Sequence, residues 1–284
     1  MIQKSCLTAA LAAAMVSFAV VPAHSSAVNR LECAARSEFV RLSKPLAKLS
    51  ARVARHEEIK ILALGSSSTA GTGASRKEFS YPSSLERELR ALLPKAAVTV
   101  LNRGVGGEDV RQMLPRLDRD LAAEKPDLVL WQVGTNALLG EQGVDSQAPM
   151  IRDGLRRIRA AGADVILIDP QYAPHVLRDP DARPMVALLA KIADETGVPV
   201  FRRFALMQYW HEAREIAFSD ILAPDLFHMN DWSYGCLARN LAAALVASTQ
   251  AAANAAPGTA AGTSIATSAA ANGTPAATPA SASR

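Results

Sequence analysis

Aromatic side chains are scarce in this sequence. Phe, Trp and Tyr make up 5% of its 284 residues, and no basic run interleaves with them. Nucleic-acid surfaces are commonly built that way, so no nucleic-acid partner is indicated. Cysteine is scarcer still, at three residues. No third ligand stands near Cys33 or Cys236, which argues against a metal site. Neither sign of charge dominates: 31 Lys and Arg face 27 Asp and Glu, a formal +4, and the two signs are mixed along the chain. There is no internal repeat and no long apolar stretch that would form a lipase lid.

The glycine templates of nucleotide binding are absent too. Gly71 and Gly73 begin a G-x-G, but Arg76 stands where the third glycine of the dinucleotide fingerprint belongs. There is no G-x-x-x-x-G-K-[ST]. The G-x-S-x-G elbow fails as well, because Thr69 occupies its second glycine position after Gly65 and Ser67.

Both ends read as something other than fold. Residues 1–27 have the features of a secretory signal: Lys4, then an uncharged run from Cys6 to Val21, then small Ser25 and Ala27. The run is short for a bilayer-spanning helix, which takes about 20 apolar residues. The expectation is cleavage after Ala27, a periplasmic or secreted protein, and no stable membrane span thereafter. Residues 248–284 are Ala, Thr, Ser, Gly and Pro, with Arg284 as the sole charge. Such a segment buries too little to offset its ordering entropy, and is expected to be a disordered tail. Residues 28–247 remain as one domain. After the signal, Cys33 and Cys236 form an even pair, which invites a disulfide in an oxidising compartment; two buried free thiols are the alternative.

Within the domain, short apolar runs alternate with stretches of helical spacing. The runs are Ile59–Leu64, Val98–Leu101, Leu128–Val133, Val165–Ile168 and Val198–Phe201. They are nearly continuous, as strands buried on both faces are. Between them, Leu85, Leu89, Leu92 and Leu93 share one helical face. Ile151, Leu155 and Ile158 mark another helix, and a last one runs over about Trp232 to Ala247 with Leu237, Leu241 and Leu245. The pattern predicts an α/β fold: a three-layer flavodoxin-like sandwich around a five-stranded parallel sheet. In such sheets ligands bind outside the carboxyl ends of the strands.

The residues after the strands are therefore the informative ones. Gly65-Ser66-Ser67-Ser68 follows the first run, "NRGVGGED" (102–109) the second, "GTNA" (134–137) the third and "DPQYAP" (169–174) the fourth. "DLFH" (225–228) precedes the last helix. A reactive serine needs a base, and the base needs an orienting group. Among the histidines, His56, His175 and His211 read as surface or helix-packing residues. His228 differs because Asp225 lies three residues before it, one turn of chain away.

This set resembles the SGNH (GDSL-type) hydrolase family. "GSSS" resembles its G-D-S block, with Ser66 in place of the aspartate. "NRGVGGED" resembles N-x-x-x-x-G, "GTNA" resembles G-x-N-D with Ala137 in place of the aspartate, and "DLFH" resembles D-x-x-H. The resemblance spans about residues 59–240. It implies Ser67 as nucleophile, His228 as general base and acid, and Asp225 as the group that orients the imidazole. It implies an oxyanion hole of the Ser67 N–H, the Gly107 N–H and the Asn136 side-chain amide. No metal or organic cofactor is implied. The expected partner is a small-molecule or carbohydrate ester, with an acetyl or other small acyl group preferred. A lysophospholipase or thioesterase of the same fold and a non-catalytic carbohydrate-binding module are the alternatives. A phosphate or nucleotide binder has only the glycine-rich loop in its favour.

Overall fold

The computed structural model describes Cys33, residues 35–140 and residues 143–255. The expected signal (1–27) lies outside the described residues. In chain order the first elements are α1 (Ser37–Val40), α2 (Ala47–Arg55), β1 (Ile59–Gly65), α3 (Ser67–Ala70), α4 (Tyr81–Leu92), β2 (Val98–Gly104) and α5 (Val110–Glu124). Then come β3 (Leu128–Gln132), α6 (Thr135–Leu139), α7 (Val144–Ala160), β4 (Asp164–Ile168), α8 (Pro174–Leu177) and α9 (Ala182–Thr196). Last are β5 (Val200–Phe201), α10 (Arg203–Gln208), α11 (Phe218–Ile221) and α12 (Asp231–Ala255).

The five strands form one sheet in the order β2-β1-β3-β4-β5, and every pairing is parallel. Helices α2, α4 and α12 cover one face, and α5, α7 and α9 the other. Because both faces are covered, all five residues of β3 are buried, as are all but Lys60 in β1. That is why these runs read as continuous apolar sequence. The chain passes from β1 to β2 on one side and crosses to β3 on the other. The reversal places the crevice of the sheet at the carboxyl ends of β1 and β3.

The structure departs from the sequence reading in several places. The fifth run, Val198–Phe201, contributes only two residues to the sheet. Pro199 has no N–H to offer, although its carbonyl still accepts from the Leu167 N–H at 3.0 Å. Leu92 was expected on the buried face of α4, but it is 49% exposed. It is the final residue of α4, which packs against the edge strand β2 and α12. The last helix continues to Ala255, eight residues into the stretch expected to be disordered. Alanine is the strongest helix former, the first proline is Pro257, and Thr249 is buried beside the α2 side of the core. The remainder of that stretch lies outside the described residues.

Candidate active site

Strand β1 delivers Gly65 and Ser66 to the crevice, and α3 begins at once with Ser67. The turn is tight. A Cβ on Gly65 would lie 2.2 Å from Thr69 Oγ1 and 2.8 Å from Gln132 Oε1, so only glycine permits this approach. Ser66 is buried and faces Gln132, the last residue of β3. Gln132 Oε1 accepts from the Ser66 N–H at 2.9 Å, the Ser66 hydroxyl at 3.0 Å and the Thr69 hydroxyl at 3.3 Å. A backbone N–H can only donate, so the orientation of this amide is fixed. Below it, the Tyr81 hydroxyl meets Thr69 Oγ1 at 3.3 Å, and complete burial pushes its pKa up to about 12. The Tyr234 hydroxyl donates to Thr72 O at 2.7 Å.

Strand β2 approaches the same turn from its other side. Asn102 donates from Nδ2 to Thr69 O at 2.8 Å and accepts the Gly104 N–H on Oδ1 at 2.9 Å. Past the strand, Arg116 of α5 gathers the loop, donating to Arg103 O at 2.9 Å and to Glu108 at 2.6 Å. Gly107 is exposed and has a φ of +81°. A Cβ there would meet nothing within 4 Å, so it is the backbone turn that calls for glycine, not lack of room. Asp109 then closes the loop with a capping box, accepting the Arg111 N–H at 2.8 Å while its own N–H donates to Gln112 Oε1 at 2.9 Å.

After β3, Gly134 leads into α6, which carries Asn136. The Asn136 amide donates from Nδ2 to Glu108 O at 2.8 Å. This bond ties the turn after β3 to the residue next to Gly107. It uses one of two Nδ2 hydrogens and leaves the second for another acceptor.

His228 comes from a small closed loop. An isolated antiparallel bridge pairs Leu222 with Met229, and the Ala223 N–H donates to His228 O at 2.8 Å. Within it, Asp225 Oδ1 accepts the backbone N–H groups of Phe227 (3.0 Å) and His228 (2.9 Å). Its Oδ2 lies 2.6 Å from His228 Nδ1, and His228 Nε2 lies 2.8 Å from Ser67 Oγ. Partial burial pushes the Asp225 carboxyl up, but the hydrogen bonds from the His228 ring and the two N–H groups outweigh it and hold the pKa below its ordinary value. A carboxylate only accepts, so Nδ1 carries a proton, and in the neutral ring that leaves Nε2 as an acceptor turned to the serine hydroxyl.

The structure thus brings Ser67, His228 and Asp225 into one chain of hydrogen bonds. It sets Asn136 against the Gly107 loop through Glu108. The other histidines stand elsewhere. His56 ends α2 in a left-handed conformation, His175 is exposed beside Phe227, and His211 stacks on Phe218 with ring centres 3.7 Å apart. Cys33 and Cys236 are disulfide-bonded, with Cα atoms 5.0 Å apart. Among the described residues no group of His, Cys, Asp and Glu is arranged to hold a metal ion, and no helix is long and apolar enough to cross a membrane. Gln132, Gln171 and Arg203 escaped the sequence reading. For Gln132 a signal existed: it is the one polar residue in the run "LVLWQ".

The chain is similar to several known proteins. An acetylxylan esterase from Geobacillus stearothermophilus is 28% identical over 122 residues, covering 38% of this chain and 56% of that protein. The match therefore spans about half the length of that relative. Among solved structures, a two-domain esterase active on acetylated mannans, crystallised with mannopentaose, has a TM-score of 0.60 at 21% identity. It covers 74% of this chain and 56% of the other. A variant of an acetyl xylan esterase from Geobacillus stearothermophilus has a TM-score of 0.57 at 23% identity, covering 66% of this chain and 94% of the other. At these identities the likeness is one of fold, the three-layer α/β sandwich of SGNH hydrolases. Residues 32–251 match the non-GDSL lipase-like family, and the chain belongs to that family.

Proposed function

We propose that the protein is a carboxylic ester hydrolase acting on small acyl esters, with acetyl groups on carbohydrate as the preferred class. The observation that carries this reading is the hydrogen-bond chain from Ser67 Oγ through His228 to Asp225, at 2.8 and 2.6 Å. Ser67 Oγ attacks the ester carbonyl as its proton passes to His228 Nε2. The oxyanion is met by the Ser67 N–H, the Gly107 N–H and the free hydrogen of Asn136 Nδ2. Ser67 opens α3, where a helix leaves its first N–H groups without an internal acceptor. The tetrahedral adduct collapses, the alcohol leaves with the proton from His228, and Ser67 is acylated. Water then attacks with His228 again as base, and the free acid departs. Asp225 holds the imidazole tautomer and balances its cation.

Acetylated carbohydrate is favoured by the relatives, an acetylxylan esterase and an esterase active on acetylated mannans. A longer acyl chain, as in a lysophospholipase or thioesterase, is favoured by a different observation. Val105, Leu139 and Leu226 are 44–45% exposed, and each lies within three residues of Gly107, Asn136 or His228. Residues 1–27 support export, as does the Cys33–Cys236 bond, which suits an oxidising compartment.

A fluorophosphonate probe tests the site. Labelling is expected in the wild type, Ser66→Ala and Ser68→Ala, and is expected to vanish in Ser67→Ala along with about 10⁵–10⁶ of kcat. Labelling that survives Ser67→Ala refutes the assignment. p-Nitrophenyl esters from acetyl to octanoyl then separate the two substrate classes by the chain length at which kcat/KM peaks.

A further inference from the structure

We infer that Gln171 is a positioning residue that couples the turn bearing Asn136 to the turn bearing His228, with Arg203 as its anchor. The inference rests on the catalytic reading of Ser67, Asn136 and His228.

Gln171 lies three residues past the end of β4 and is fully buried. Its Oε1 accepts from Thr135 Oγ1 at 3.0 Å and from Arg203 Nη2 at 3.0 Å. Arginine can only donate, so the amide oxygen must face Arg203. The amide nitrogen then points the other way, towards Phe227 O at 3.5 Å, a long bond. Thr135 immediately precedes Asn136, and Phe227 immediately precedes His228. One side chain of fixed length therefore spans the oxyanion turn and the base turn.

Arg203 fixes where that span sits. It is fully buried at the start of α10, and its Nε donates to Asp169 O at 2.8 Å. The next backbone N–H, of Phe204, donates to Asp169 Oδ1 at 2.8 Å. Both ends of the Asp169–Gln171 bend are thus tied to one helix terminus. Arg203 Nη1 has no hydrogen-bond partner among the described residues. A buried guanidinium with an unmet donor costs stability, and an apolar side chain of similar volume would support the fold at lower cost. An apolar side chain cannot, however, hold an amide oxygen in one orientation.

Asn136 and His228 must act on the same substrate carbonyl. A displacement of about 1 Å between groups in such a constellation costs about 10²-fold in rate. Gln171 is buried beneath the turns, so its loss is expected in kcat, not in KM.

The test uses Gln171→Met, which keeps volume and loses both ends of the bridge, and Gln171→Glu, which keeps the acceptor and loses the donor to Phe227. With p-nitrophenyl acetate, kcat is expected to fall about 10–100-fold in both, with KM within about twofold. Thr135→Val, a milder change that preserves shape and keeps the test open should the larger substitutions impair folding, is expected to lower kcat severalfold. In proton NMR, the low-field Nδ1–H signal of His228 is expected to shift or broaden in Gln171→Met. Wild-type kcat in Gln171→Glu overturns the coupling, and wild-type kcat in Thr135→Val overturns the role of the Thr135 end. If the wild type hydrolyses no ester, the catalytic reading fails by itself. The His228 signal still decides the Gln171 inference, and an unchanged signal in Gln171→Met overturns it.

Discussion

Replacing Gln132 by Leu removes the acceptor on which the Ser66–Ser67 turn rests. Gln132 is 1% exposed and receives three donors on one oxygen. They would not suffer equally. The Thr69 hydroxyl has the Tyr81 hydroxyl as a second partner at 3.3 Å. The Ser66 hydroxyl can rotate, but Ser66 is only 2% exposed, which limits its access to water. The Ser66 N–H cannot turn at all. A buried donor without a partner costs about 1–3 kcal/mol, so Gln132→Leu is expected to lose about 2–4 kcal/mol, most of it at this N–H. Ser66→Ala removes the hydroxyl and leaves the N–H bond in place, for about 0.5–1.5 kcal/mol. The double variant counts the hydroxyl–amide bond once, so its loss should fall short of the sum by about 1 kcal/mol. Urea unfolding at pH 7, followed by two probes to check two-state behaviour, measures all three. Activity adds a second readout. The Ser66 amide is one peptide from the Ser67 N–H, and loosening it is expected to lower kcat at least about tenfold in the folded variant. A loss in Gln132→Leu no larger than that in Ser66→Ala refutes the reasoning, as does strict additivity.

Two further outcomes follow from the core. The Cys33–Cys236 bond closes a loop with a sequence separation of 203, for which chain entropy allows about 5 kcal/mol as an upper figure. The Cys33→Ala/Cys236→Ala variant is expected to melt several degrees lower in calorimetry while keeping its kcat, and a lost kcat at full stability contradicts this. Burial pushes the Asp169 carboxyl up to about 7 from an ordinary 3.8, against the Phe204 N–H and the Arg203 and Arg202 charges. The folded state then holds a proton that the unfolded state releases, so this group favours folding at low pH. Its contribution fades as pH rises from about 4 to 7, by at most about 4 kcal/mol. Asp169→Asn keeps the acceptor for Phe204 and should remove that slope. Urea midpoints of the two proteins that run parallel between pH 4.5 and 8 refute the assignment.

Legibility in the sequence followed burial. Strands β1, β3 and β4 lie between two helical layers, so their apolar runs were continuous and easily read. β5 pairs through only two residues at the sheet edge, and Pro199 blurred its start. Ser67, Gly107 and Asn136 follow β1, β2 and β3, and a parallel sheet sends those loops to one end; Asp225 and His228 come from the loop before α12 and were marked only by their three-residue spacing. The supporting layer was not. Gln171 and Arg203 have no periodic context, and the Gln171 partners Thr135, Arg203 and Phe227 lie 36, 32 and 56 residues away in sequence. Nothing local marks such a bond. Arginine in particular reads as surface, and here it is fully buried.

Burial bears on both positions where the SGNH blocks carry aspartate, for a different reason at each. Ser66 is 2% exposed and Ala137 is 5% exposed. An ionised carboxylate at either place would need several donors to offset its desolvation. At residue 66 the local chemistry runs the other way, because Gln132 presents an oxygen and requires donors from its neighbour. Any residue but proline there supplies the backbone N–H; serine adds a hydroxyl donor, where an aspartate carboxylate would set a second acceptor against the first. Gln132 and Ser66 are therefore a matched acceptor and donor at the buried end of β1 and β3. At residue 137 the side chain belongs to the hydrophobic core and has no acceptor to satisfy. Both replacements spare the turn a buried charge and leave the Ser67–His228–Asp225 chain intact, since neither Ser66 nor Ala137 supplies a bond in it.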